Sequence, residues 1–180
     1  MKSIYILLTR SNTLVSNMVK LTTLDRYTHV SISFVDNLTP LYSFARRYTH
    51  SPLPAGLRHE YLTRGFFKRN RRIPCALYEL IVDDETYENA KKIVDGMMEQ
   101  ADQYHFNLWG LLLCRLSIPS HRKHHYFCSE FVSKVLTESK ALPLPKEPSL
   151  MRPSDYAKLP DLDCLFEGRL DGLIAHKQIS

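Results

Sequence analysis

Paired cysteines are missing from this chain. Its four cysteines, Cys75, Cys114, Cys128 and Cys164, lie far apart and form no CxxC unit. That pattern excludes a small disulfide scaffold and points to reduced thiols in a cytosol. Long apolar runs are missing too. The run 4–8 ends at Thr9-Arg10, and the run 108–113 ends at Cys114-Arg115. Both are too short for a signal-peptide core or a membrane span, so a cytoplasmic protein without a transmembrane segment is expected. There is no internal repeat, no convincing linker and no stretch too polar to fold. With 180 residues, 44% of them hydrophobic, the chain is expected to form a single domain over residues 1–180.

Charge is not balanced. The formal net charge is +5, and part of the excess is local: Arg46 and Arg47 precede Arg64, Lys68, Arg69, Arg71 and Arg72, which surround Phe66 and Phe67. An anionic partner and a solvated basic loop both fit this cluster. No nucleic-acid recognition motif surrounds it, so no nucleic acid is expected as a partner.

Residues 4–8 read as a buried strand. Asn12 or Thr13 is placed to cap a helix over 14–21, with Leu14, Val15, Met18 and Leu21 on one face. Residues 28–35 alternate, with His29, Ser31 and Ser33 to one side and Val30, Ile32 and Phe34 to the other. That predicts a half-buried strand with a polar second face. Turn residues at 36–40 let 41–47 return as the second strand of a hairpin. The segment at about 48–73 contains Pro52, Pro54, Gly56 and Gly65, and reads as a long basic and aromatic loop. A strand follows at 75–82. Residues 83–86 then start a helix to about 103, with Tyr87, Ala90, Ile93, Val94 and Met97 at helical spacing. A short apolar helix is expected over 108–116. An amphipathic helix is expected over 127–139, with Phe131, Val132, Val135 and Leu136 inward. The tail is Pro-rich and irregular, with a short strand at 172–175.

The chemistry-bearing candidate is Tyr126-Phe127-Cys128-Ser129-Glu130. A cysteine in the first turn of a helix faces the positive end of the macrodipole, which favours thiolate, and the unpaired amides there can hold an oxyanion. Glu130 in the same turn suits the amides, while its charge opposes that of a thiolate. A buried structural thiol fits Cys128 equally well on local grounds. Among the eight histidines, His29 stands out because a regular strand would hold its ring rigidly, though a satisfied strand histidine explains it as well. His121, His124 and His125 precede Cys128, but their spacing is irregular and Arg122 and Lys123 lie among them, so no metal is expected.

Together these residues carry a resemblance. The order Thr28-His29-Val30-Ser31-Ile32, then Tyr104 and Asn107, then Tyr126-Phe127-Cys128-Ser129-Glu130-Phe131-Val132, then Arg152-Pro153-Ser154-Asp155-Tyr156 resembles the YiiX/YaeF-like permuted papain-like enzymes. These belong to the NlpC-type superfamily, with the lecithin–retinol acyltransferase-like proteins. The resemblance spans residues 4 to about 156, and histidine before cysteine marks the permuted branch. It implies an α+β, circularly permuted papain-like (NlpC-type) fold, with an antiparallel sheet packed against helices. It makes Cys128 the nucleophile and His29 the general base, later the acid for the leaving group. It also puts the Cys128 amide in an oxyanion hole. Tyr104 falls where the family tends to carry an aromatic near the site and would add a supporting hydroxyl; a core aromatic at a helix end fits it equally.

Relatives place a polar residue, often Glu, on the strand after the histidine strand. Here 41–47 has no carboxylate; Ser43 is the best-placed orienting residue, with Glu60 the alternative if the following segment folds back. The resemblance implies a cysteine hydrolase, amidase or peptidase, acting through a thioester and needing no cofactor. A lipid acyltransferase or esterase of the same superfamily and a catalytically silent papain-like binding module are the alternatives. The expected partners are a peptide, amide or lipid substrate; no partner protein is predicted. Phe66, Phe67 and Arg64 would suit an acyl chain beside an anionic headgroup, hence substrate binding or peripheral membrane contact.

Overall fold

The apolar run near the N-terminus becomes β1 (Lys2–Thr9), whose residues from Ile4 onward are buried on both faces. A continuous apolar strand does this when both sides of its sheet are covered. A computed structural model describes residues 1–10, 25–46 and 55–179. The helix expected at 14–21 lies outside the described residues.

Along the described chain follow β2 (His29–Ser33), β3 (Leu41–Arg46), β4 (Ala55–Glu60), α1 (Gly65–Arg69), β5 (Pro74–Val82) and α2 (Asp84–Glu99). Then come β6 (His105–Phe106), α3 (Leu108–Arg115), β7 (His125–Tyr126), α4 (Cys128–Glu138), α5 (Pro153–Tyr156), β8 (Asp163–Arg169) and α6 (Leu170–Ile179). The protein is α+β. The eight strands of the described residues form one open sheet in the order β7-β6-β4-β3-β2-β1-β5-β8. Neighbours pair antiparallel except β6 and β7, which run parallel, so the sheet is mixed rather than purely antiparallel.

Alternation along the strands feeds two cores. Ile4, Ile6 and Leu8 of β1 join Val30 and Ile32 of β2 under α2 and α4, which contribute Ala90, Val94, Met97, Phe131, Val132, Val135 and Leu136. Tyr5 and Leu7 face the other way, with Leu41 and Leu77, under Phe67 of α1 and Leu170, Leu173 and Ile174 of α6. α2 starts where expected because Asp83 caps it, accepting from the Thr86 amide at 2.8 Å.

Three expectations are corrected. The second face of β2 is not half-exposed: Ser31 and Ser33 are fully buried. Their hydroxyls are paired, Ser33 Oγ donating to the Pro40 carbonyl at 2.9 Å and Ser31 Oγ to Glu60 at 2.7 Å, which removes the penalty of burying them. The supposed loop at about 48–73 contains β4 and α1. Gly56 looks like loop punctuation, yet it lies in β4 opposite His105, where an added Cβ would meet the Tyr104 carbonyl oxygen at 3.0 Å. In the tail, the expected strand at 172–175 is part of α6, and the strand is β8 just before it. Leu170, Leu173 and Ile174 follow helical spacing and bury together, while β8 is a largely exposed edge strand with little alternation to betray it.

Candidate active site

α4 is held by its buried side and starts abruptly. Phe127 is extended (φ −107°, ψ 169°) and fully inside the fold, and Cys128 is the first helical residue. Cys128 is only 7% exposed. Glu130, two residues on, turns back and accepts from the Phe127 amide at 3.4 Å, satisfying one of the donors left open at a helix start. Burial raises the Glu130 pKa from 4.5 to about 7, against the Phe127 amide and the Asn107 side chain, which favour the carboxylate. Asn107 is itself buried and caps α3, accepting from the Gly110 amide at 2.8 Å. Its backbone amide donates to the Tyr126 carbonyl at 3.0 Å, so α3 and α4 begin side by side.

His29 opens β2, opposite Thr9 of β1. Its Nε2 lies 2.8 Å from Glu60 Oε2, and the two side chains are only 15% and 12% exposed. The same oxygen accepts from Ser31 Oγ at 2.7 Å, and Ser31 Oγ lies 3.3 Å from His29 Nε2, closing a three-residue network. The Cys128 side chain neighbours the ring. Burial opposes charge on this imidazole. The Glu60 carboxylate, by charge and by hydrogen bond, and the Cys128 side chain outweigh that burial and raise the His29 pKa well above the ordinary histidine value. Burial likewise works against ionised Glu60. His29, the Ser31 hydroxyl and Arg58 overcome it, so the carboxyl pKa is lowered.

Both halves of this arrangement are tied down by α5. Ser154 Oγ donates to the Tyr27 carbonyl at 3.2 Å and accepts from the Tyr27 amide at 3.1 Å, two residues before His29. Tyr156, fully buried, donates to the Ser129 carbonyl at 2.9 Å and lies 2.7 Å from Ser133 Oγ, both on α4. One turn of helix thus braces the approach to the histidine strand and the first turns of the cysteine helix. Burial also pushes the Tyr156 hydroxyl pKa far up, so it stays a neutral donor.

Of the residues singled out from the sequence, Cys128 and His29 come together, and the assignments of Ser43, Phe66, Phe67 and Arg64 change. Ser43 does not orient the imidazole: its hydroxyl is fully buried and donates to the Val30 carbonyl at 2.7 Å. The ring's partner is Glu60, because β4 folds back beside β3 and pairs Glu60 with Leu41. Phe66 and Phe67 do not form a substrate surface. Phe67 is 2% exposed in the second core, Phe66 packs against it, and their rings meet edge to face with centroids 5.7 Å apart. Arg64 is exposed and lies over the Tyr61 ring instead. Tyr104 packs on His124 and on Tyr126, two residues before Cys128, with centroids 5.2 and 6.0 Å away. The three histidines before Cys128 each have a different neighbour: His121 pairs with Glu147 at 2.9 Å, the His124 ring lies tilted against Tyr104, and the His125 ring lies tilted against His105. Ser31 was missed as a site residue, although its place two residues after His29 already put it on the same side of the strand. No protein-family model, curated protein or solved structure matches this chain.

Proposed function

We propose that this chain is a cysteine-dependent hydrolase of the amidase or peptidase kind, built on a circularly permuted papain-like (NlpC-type) fold. The observation that carries the reading is the set Cys128, His29 and Glu60: a thiol at a helix start, an imidazole beside it, and a carboxylate 2.8 Å from Nε2 of the ring. Because Glu60 occupies Nε2, Nδ1 is the nitrogen left for the sulfur. The Cys128 proton passes to Nδ1, and the sulfur attacks the carbonyl carbon of the substrate. The oxyanion that forms is met by backbone amides of the first turn of α4, with that of Cys128 foremost. His29 then returns the proton to the departing amine as the C–N bond breaks, leaving a thioester on Cys128. A water attacks the thioester, gives its proton to His29, and releases the acid as the sulfur takes the proton back.

Glu60 also weighs against reading the chain as a silent binding module. That reading leaned on the lack of an acid on β3, and the acid comes from β4 instead. A carboxylate stabilises imidazolium in a way a serine hydroxyl does not.

The test uses the protein's own exposed thiol as its reference. Cys164 is exposed, whereas Cys75 and Cys114 are buried. At neutral pH, iodoacetamide followed by peptide mass spectrometry is expected to label Cys128 at least about tenfold faster than Cys164, despite its low exposure. His29→Ala is expected to abolish the difference. Equal rates for the two cysteines, or an unchanged Cys128 rate in the His29 variant, would sink the proposal.

A further inference from the structure

Beyond the catalytic reading, and independent of it, α3 has an outer face that nothing in the described chain covers. Among the described residues, eight large hydrophobic side chains are exposed, and four of them, Leu108, Trp109, Leu116 and Ile118, belong to α3 and its end. Trp109 and Leu116 are each 69% exposed. Folding does not require this face. The inner side of α3 is closed by buried Gly110 and Cys114, and an added Cβ on Gly110 would lie 2.1 Å from the Asn107 side chain. Both ends are finished by local bonds. Asn107 caps the start, and the end closes as a Schellman turn: Ser117 (φ 58°) donates to the Cys114 carbonyl at 3.1 Å and Ile118 to the Leu113 carbonyl at 3.0 Å. Trp109 and Leu116, seven residues apart, therefore share an apolar stripe held rigidly outward.

Charge identifies what this stripe suits. From residue 104 to residue 126 the sequence holds Arg115, Arg122, Lys123 and four histidines, and no Asp or Glu. After α3 the chain returns to β7, which pairs with β6 just before the helix begins, and on the way the Ser120 amide donates to Ser149 Oγ at 3.4 Å and His121 pairs with Glu147. Arg122 and Lys123 are exposed there and have no ion-pair partner among the described residues. An aliphatic row with a tryptophan, in a segment that carries cations and no acid of its own and whose one ion-paired acidic neighbour among the described residues is Glu147 against His121, matches a bilayer surface bearing anionic headgroups. A second copy of the chain fits poorly, since a two-fold contact on this face brings the same cations together in a protein already at +5.

We propose that the outer face of α3 docks on an anionic membrane surface, with Trp109, Leu116 and Ile118 entering the interface and Arg122 and Lys123 meeting the headgroups. The docking helix begins beside the start of α4, because Asn107 is hydrogen-bonded to Tyr126. The first turn of the docking helix therefore lies beside the turn that leads into Cys128.

Trp109 is the only tryptophan in the chain, so it reports directly on its own surroundings. The full-length protein is titrated with phosphatidylcholine vesicles containing about a third phosphatidylserine, and with phosphatidylcholine vesicles alone. The expected result is a blue shift of Trp109 emission with the anionic vesicles and quenching by lipids brominated in the upper acyl chain. Pure phosphatidylcholine is expected to give little change. Leu116→Glu, at an exposed position, is expected to abolish the shift with far-ultraviolet circular dichroism unchanged. Arg122→Ser with Lys123→Ser is expected to weaken partitioning roughly tenfold to thirtyfold. No shift with anionic vesicles overturns the proposal, as does a shift that survives Leu116→Glu. Emission that is already blue without vesicles and varies with protein concentration assigns the face to a protein contact and overturns it equally. Iodoacetamide labelling of Cys128 in vesicle-free samples keeps this outcome separate from that of the catalytic reading.

Discussion

Replacing Glu130 by Gln tests the start of the cysteine helix with little change of shape. Gln keeps an oxygen to accept from the Phe127 amide and removes only the charge. The Glu130 carboxyl is 4% exposed, and its pKa is about 7 in the folded protein against 4.5 in the unfolded chain. Below pH 4.5 it is neutral in both states and contributes nothing. As pH rises from 4.5 to 7 the unfolded chain ionises first, so folding stability falls; above 7 the full cost stands. At roughly 1.4 kcal/mol per pH unit, the gap costs about 3 kcal/mol. A carboxylate in the first turn of a helix also gains from the macrodipole, but only about 0.3–1 kcal/mol, so desolvation wins. Urea unfolding of the two proteins side by side is the assay, since all other titrating groups cancel in the difference. Near pH 4 the two midpoints are expected to coincide. Near pH 8.5 Glu130→Gln is expected to be more stable by about 3 kcal/mol. Parallel curves would mean that the carboxyl is solvated and that α4 does not begin as described. A Gln variant that is less stable at high pH would mean that the cap charge outweighs burial, which reverses the reasoning.

Exchanging the two candidate partners of His29 separates them. Glu60→Gln is expected to move the alkaline limb of Cys128 alkylation to lower pH, because the raised His29 pKa rests on that carboxylate. Ser43→Ala is expected to cost about 1–3 kcal/mol in denaturant unfolding, through the lost bond to Val30, with the alkylation profile unmoved. Tyr156→Phe removes the hydroxyl that bonds Ser129 and Ser133; a loss of about 1–3 kcal/mol with slower Cys128 alkylation is expected, and an unchanged alkylation rate would deny the brace. Phe67→Ala is expected to cost about 3–5 kcal/mol by opening the second core, while refolded protein at low temperature keeps the reactivity of Cys128.

Much of this protein is legible without coordinates, wherever the determining forces are local. The apolar run of β1, the alternation of β2, the Asp83 cap of α2 and the amphipathic spacing of α4 each carry their own signal, because side-chain period and capping act within a few residues. Cys128 at a helix start and His29 on a strand follow from the same signals. Their meeting depends on how the elements pack, and so does the identity of the third residue. β4 has no strand-like pattern of its own; it exists because β3 and β6 offer edges on either side and Gly56 allows the close approach to Tyr104. Only that pairing turns Glu60 toward His29 and leaves Ser43 to the Val30 carbonyl. The same holds for Phe66 and Phe67, which read as an exposed basic-aromatic loop until the open face of the sheet requires a cover. Periodicity and capping, decided over a turn or a strand, were settled by the sequence itself. The partner of the histidine was decided by β-pairing between distant segments, which no local pattern encodes.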